Sequence, residues 1–163
     1  MKNNIVLSPI AHIYNSRITL DDDHWGDIVS EILLEEVLPD DCLDGIDAFS
    51  HAEILFYFDQ INEDKQFQYV RHPRGKLSWP KVGIFAQRNK DRPNHIGLTI
   101  VSIIRRVGRS LFVRDLDAVN GTPVLDIKPV MVEYLPREPV HQPEWSHELM
   151  KEYWNKNDEN AIE

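Results

Sequence analysis

A single cysteine, Cys42, stands in a chain of 163 residues. One thiol cannot close an internal disulfide, and by itself it cannot hold a structural zinc. A reducing compartment asks for no bridges, so the cytoplasm is the expected location. No run of 18 apolar residues occurs, and the longest candidate, around Leu98 to Ile104, has the length of a strand; a membrane-spanning helix is excluded. The apolar stretch after Met1-Lys2-Asn3-Asn4 is broken by Ser8-Pro9, and no secretory signal is expected. Internal repeats, low-complexity tracts and Gly/Ser linkers are absent. So are G-x-S-x-G, a P-loop and a zinc signature. The seven histidines (12, 24, 51, 72, 95, 141, 147) show no ligand spacing such as i, i+4. Gly75 and Gly83 are not spaced as a dinucleotide loop, and no βαβ pattern surrounds them, so a Rossmann-type site is not expected.

What is present is ordinary globular composition, with 42% hydrophobic and 28% charged residues. That length and mixture suit one domain with its own core. The net charge is −9, which on average disfavours a polyanionic partner. The average hides a segregation. Residues 1–64 hold 2 basic and 15 acidic groups, whereas residues 65–92 hold 8 basic groups and the one acid Asp91. The basic stretch is either a solvated loop that balances acidic neighbours or a local anion-binding surface for phosphates. In the second case the acidic remainder repels non-specific polyanions and leaves one productive approach.

Most of the chain reads as β. Candidate strands are Ile5–Tyr14 (an edge strand interrupted at Pro9), Ile28–Leu34 (with a helix as the alternative), Ala52–Phe58, Phe67–Arg71, Val82–Ala86, Leu98–Arg105, Leu111–Leu116 and Val124–Ile127. Leu43–Phe49 reads as a short helical turn, and Gly108-Arg109-Ser110 as a hairpin turn. Several short strands with turn signals between them predict a closed or nearly closed β structure over residues 1–140. The remainder, 141–163, differs. Pro143-Glu144-Trp145 opens a helix, and Trp145, Leu149 and Tyr153 recur at four-residue spacing, which predicts an amphipathic helix of about three turns. Its stripe is expected to pack on the sheet, and the residues from Asn155 to fray.

Three segments interrupt the strand pattern: 71–75, 83–98 and 115–129. Each mixes charged groups with Gly and Pro, a combination that serves either ordinary turns or a pocket with a stiff, closely approaching backbone. Within them Phe85-Ala86-Gln87-Arg88, then Arg92-Pro93-Asn94-His95-Ile96-Gly97-Leu98, then Asn120-Gly121-Thr122-Pro123-Val124-Leu125-Asp126-Ile127-Lys128-Pro129 resemble the TsaA-like (TrmO/YaeB) family. Three separated motifs occur in the family's order and at compatible spacing. The resemblance implies a mainly β protein, a single-sheet β-barrel with a short helix and the C-terminal amphipathic helix. It implies S-adenosyl-L-methionine as cofactor, a homodimer, and N6-methylation of threonylcarbamoyladenosine beside the anticodon of tRNA or of a related adenosine-like acceptor. The alternative within the resemblance is a non-catalytic barrel that binds the cofactor or nucleic acid.

Carried over by position, Asp59 and Gln60 stand where the family has a cofactor-contacting His-Gln pair. Arg88 would contact cofactor or nucleotide, Leu98 would pack on the cofactor, and Asp117, Ala118, Val119 and Asn120 occupy the cofactor loop. Arg17 aligns with an N-terminal basic contact. Arg71, Arg74, Arg92 and Asn94 join Arg88 as expected phosphate or substrate contacts. Departures from the family pattern are Gln87 for Thr, His95 for Pro, Asn120 for Asp, Val130 for Tyr and Asp59 for His. A sulfonium is a cation, so Asp59 or Asp117 would help to hold it. An N–H nucleophile must lose a proton, and His95 is a candidate base by its titration range. Asp126 and Lys128 lie two apart on a strand and share a face; they are either a structural ion pair, the preferred reading, or catalytic groups.

Overall fold

The computed structural model describes residues 5–61 and 68–155. Six strands close a barrel: β1 (Ala11–Tyr14), β2 (Val29–Leu34), β3 (His51–Tyr57), β6 (Ile96–Val107), β7 (Ser110–Arg114) and β8 (Pro123–Pro129). Around the wall the order is β1-β2-β7-β6-β3-β8, and β8 pairs back onto β1. Every pairing is antiparallel. Closure removes the free edges that an open sheet of this length would expose. Two short strands, β4 (Val70–Arg71) and β5 (Val82–Gly83), form a separate ribbon.

Alternation along the strands explains the core. In β3 the residues Ala52, Ile54 and Phe56 point inward and are at most 1% exposed. Their partners on β6 follow the same side: Val101 faces Ala52 and Thr99 faces Ile54, as the two-residue period of a strand requires. Ile13, Ile32, Leu111, Val113, Leu116 and Val124 fill the rest of the interior. The Phe56 ring lies directly over Gly97, its partner across the β3–β6 ladder, where any Cβ would collide with it. Glycine here is a packing requirement rather than a turn.

The expected strands match the observed ones in number and order, and the differences have local causes. Strand β1 forms only after Pro9, with Ile10 N donating to Val124 O at 2.8 Å; residues 5–9 lie outside it. The expected strand Val82–Ala86 ends at Gly83 and turns into a single 3-10 turn, Ile84–Ala86, because Ile84 buries and the buried Gln87 amide donates back to Val82 O at 3.1 Å. The expected strand Leu111–Leu116 stops at Arg114, since Asp115 takes a φ of +66°. The hairpin at Gly108 forms with a left-handed glycine. Phe67, the first residue of another expected strand, lies outside the described residues.

The C-terminal helix α1 (Glu144–Met150) is shorter than the predicted three turns. An isolated helix of seven residues is marginal in water, so tertiary contacts must hold it. Trp145 packs against Trp79 with ring centroids 6.3 Å apart. Glu148 accepts from the Trp79 indole at 2.7 Å and from Lys76 at 3.1 Å. After Met150 the chain leaves the helix, because its carbonyls serve the loop before β2: His24 N donates to Glu152 O at 3.1 Å and Trp25 N to Tyr153 O at 2.8 Å. The tail from residue 156 lies outside the described residues. Among the described residues no helix is long and apolar enough to cross a membrane.

Two outcomes follow from this packing. Replacing Gly97 by Ala forces a methyl group into the immobile Phe56 ring and is expected to destabilise the barrel by about 1–3 kcal/mol, read as a lowered urea midpoint. The Trp79 indole and then the Lys76 ammonium hold the Glu148 carboxyl below its ordinary value of 4.5. A carboxyl depressed in the folded state stabilises above its unfolded pKa and loses that contribution as pH falls through the folded one. The Trp79–Trp145 contact should therefore weaken only below the ordinary glutamate range. Tryptophan fluorescence should report that acid transition in the parent, and Glu148→Gln should abolish its pH dependence.

Candidate functional site

One end of the barrel opens into a cleft of about 410 Å³. It lies where β3 ends and β6 begins, and it is closed on one side by the loop 85–94 and on another by Asp117. The apolar walls are Phe56, Phe58, Phe85, Ile96 and Leu98. The polar groups are Arg88, Arg92, Asn94 and Asp117. Small-molecule sites commonly have this character, mostly apolar with a few placed polar groups. Phe85 is 79% exposed and Leu98 41% exposed. Large apolar groups held open to solvent at a concave site are available to a ligand.

Each polar group is placed by a local device. The 3-10 turn at Ile84–Ala86 and the buried Gln87 set the start of the loop. Arg92 donates to Gln87 O at 3.2 Å, and its own carbonyl accepts from His95 N at 3.1 Å. His95 adopts a φ of +51°, a conformation costly for a residue with a Cβ, and this bend delivers Ile96 into β6. The Arg88 guanidinium donates to Leu98 O. No carboxylate among the described residues forms an ion pair with Arg88 or Arg92, so both cations stand available to an anion.

Asp117 is the carboxylate of the cleft. Its Oδ1 accepts from the Thr99 hydroxyl on β6, and its Oδ2 accepts from the Tyr153 hydroxyl in the segment after α1. Burial, and then the Asp117 charge, push the Tyr153 phenol well above its ordinary range, with Arg88 and Arg74 opposing. Tyr153 therefore keeps its proton and donates a hydrogen bond to Asp117 throughout the physiological pH range.

Five of the residues expected from the sequence meet in this cleft: Arg88, Arg92, Asn94, Leu98 and Asp117. The others lie elsewhere. Asp59 and Gln60 are exposed, just past the end of β3. Ala118 and Val119 are buried, at 4% and 5% exposure, and the Ala118 carbonyl accepts from Asn15 at 2.9 Å. Asn120 is tied to the N-terminal loop, its N donating to Arg17 O at 2.7 Å. Arg17 is itself buried over the Trp25 ring, 4.6 Å from the centroid, and donates to Asp23 O. His95 sits beside Tyr57, its Nδ1 3.4 Å from the phenol oxygen, and does not line the cleft.

Two arginines expected to bind phosphates have other work. Arg71 pairs with Asp91 at 2.8 Å, and Arg74 pairs with Asp23 at 2.6 Å. Asp23 of the acidic N-terminal region thus neutralises one cation of the basic stretch, and the stretch's own acid Asp91 another. Asp126 and Lys128 pair with each other, on the outside of β8 and away from the cleft. Their geometry is that of the structural ion pair, and the catalytic reading of either residue finds no support in their position. Sequence reasoning missed Phe58, Ile96, Thr99 and Tyr153. Phe58 and Thr99 were legible only as strand residues, Ile96 only as a member of the second motif, and Tyr153 only as part of a helical stripe.

An antiparallel six-stranded barrel with an aromatic-walled, basic cleft at the mouth defines a small ligand-binding barrel class. The chain matches the family described as the tRNA-methyltransferase O N-terminal domain over residues 21–135, and it belongs to that family. It is 38% identical over 105 residues to the human tRNA (adenine(37)-N6)-methyltransferase, a match covering 64% of this chain and 23% of that protein. It is 37% identical over 112 residues to a probable S-adenosyl-L-methionine-binding protein of Pyrococcus abyssi, covering 64% and 55%. The chain thus spans about a quarter of the human relative and about half of the archaeal one. Among solved structures, a crystal structure of TrmO superposes with a TM-score of 0.66 at 26% identity, over 85% of this chain and 62% of that one. The structure of TrmO from Pseudomonas aeruginosa gives 0.67 at 24% identity, over 84% and 61%, and shares the fold.

Proposed function

We propose that this protein is an S-adenosyl-L-methionine-dependent methyltransferase that modifies N6 of threonylcarbamoyladenosine in tRNA, or of a related adenosine-like acceptor. The observation that carries the reading is the convergence of the separated motifs on one cleft, Arg88 from the first, Leu98 from the second and Asp117 from the stretch leading into the third. Family membership and the names of the relatives point the same way.

The residues present fit the cofactor. A cleft of about 410 Å³ falls within the range of small-molecule sites. Phe58, Phe85, Ile96 and Leu98 offer apolar faces for an adenine and a thioalkyl stem. Arg88, bonded to the Leu98 carbonyl but to no carboxylate among the described residues, offers a cation for a carboxylate, and Asp117 a fixed anion for a cationic group. The cofactor supplies an electrophilic methyl group on a sulfonium, and the protein's part is to bind, orient and exclude water. Arg92 and Asn94 at the mouth would take an acceptor phosphate, a contact that fixes position without reading sequence.

The same reading includes a homodimer in the cytoplasm. Its support is the outer face of β3 and β6 beside the cleft, where Leu55 and Leu98 face each other across the ladder. Leu98 and Ile100 are 41% and 47% exposed there, an apolar patch suited to a second copy.

Titration calorimetry with S-adenosyl-L-methionine should show saturable binding. Arg88→Ala should weaken it by about tenfold, the cost of a lost charge-assisted contact, with an unchanged thermal midpoint. Labelled methyl transfer to bulk tRNA should follow; tight cofactor binding without transfer to any RNA would overturn the enzymatic reading. Light scattering should give twice the chain mass, and Ile100→Asp should reduce it to the monomer.

A further inference from the structure

The family match ends at residue 135, yet the cleft carboxylate is held by a residue beyond it. Asp117 lies in the stretch between β7 and β8, with no ladder bonds of its own strand to hold it. Thr99, buried on β6, supplies one donor, and Tyr153 supplies the other. The phenol is not placed by this bond alone. Trp25 N donates to Tyr153 O at 2.8 Å, and His24 N donates to Glu152 O at 3.1 Å. The Tyr153 ring meets the Trp154 ring edge-on at a centroid distance of 5.0 Å. Gly26 lies against the Trp154 carbonyl so closely that a Cβ would strike that backbone oxygen. A side chain so anchored can impose an orientation on its partner.

We infer that the segment after α1 is a structural part of the cleft, and that Tyr153 is a positioning residue that fixes the Asp117 carboxylate for a cationic group of the bound cofactor. The inference rests on the cofactor reading above. Each carboxylate oxygen accepts more than one hydrogen bond. One donor per oxygen from the protein therefore sets the plane of the group and leaves acceptor capacity for a ligand. Without the phenol the carboxylate is held from one side only, and it must be ordered at the moment of binding. Preorganisation of this kind raises affinity by removing that ordering cost. The hydroxyl acts through Asp117, so its effect must vanish when Asp117 no longer carries a charge.

The test is a double-mutant cycle in the full chain, read by calorimetric titration with S-adenosyl-L-methionine. Tyr153→Phe keeps the ring and removes the hydroxyl; it should weaken binding about three- to tenfold. In the Asp117→Asn background the same change should alter affinity less than about twofold. Gly26→Ala, which leaves Tyr153 intact but pushes away the Trp154 backbone that follows it, should reproduce the loss. An unaltered affinity in Tyr153→Phe or in Gly26→Ala overturns the inference. So does an equal loss in the Asp117→Asn background, the signature of general destabilisation, because partial unfolding lowers apparent affinity by the same factor whatever stands at 117. A parent protein that fails to bind the cofactor overturns this inference together with the cofactor reading, whereas a binding parent with an indifferent Tyr153→Phe overturns this inference alone.

Discussion

The seven-residue ladder between β3 and β6 is the interaction on which the remaining structure depends. It places Phe56 over Gly97 and so closes the barrel interior at one end. The same register sets Leu98 outward beside Leu55 and starts β6 at Ile96, on the wall of the cleft. Shifting the register by one residue would send Ile54 and Phe56 to solvent and turn Leu55 inward. Core, cleft and outer apolar patch are three faces of one strand pairing.

Charge is distributed by a second constraint, that buried or partly buried cations need partners. Asp23 and Asp91 satisfy Arg74 and Arg71, and the carbonyls of Asp21 and Asp23 accept from Arg17. These contacts tie the N-terminal loop and the loop 85–94 to the β4–β5 region. Arg88 and Arg92, whose side chains instead reach main-chain carbonyls, keep their net charge uncompensated. A chain of net charge −9 thereby presents positive charge at the one place where its apolar cleft opens. Asp117 lines the same cleft and is held by two hydroxyl donors rather than by a paired cation.

The C-terminal segment joins these parts. Trp145 and Glu148 attach α1 to Trp79 and Lys76, and the turns that follow pair with His24 and Trp25. The apolar stripe Trp145, Leu149, Tyr153 reads as a packing face, and its first member is one. Its last member lies past the helix, with a half-buried ring whose hydroxyl reaches the cleft carboxylate. A four-residue repeat carries no information about where a helix ends, because that is decided by competing bonds from residues far away in the chain.

The sequence by itself determined the strands, their order and the closed β architecture, since alternation and turn residues act over a few neighbours. It also supplied Arg88, Arg92, Asn94, Leu98 and Asp117 as candidate site residues, through the resemblance of the motifs in or beside which they stand to the TsaA-like family. Only the tertiary structure decided which basic residues remain free: Arg71 and Arg88 look alike in sequence, and a carboxylate brought from elsewhere separates them. It likewise decided that Ala118 and Val119 are interior, that Asp126 and Lys128 satisfy each other, and that Tyr153 meets Asp117. The reason is the same throughout. Local patterning fixes which way a side chain alternates, whereas its partner is chosen by the closure of the barrel and by the path of the C-terminal segment back to its mouth.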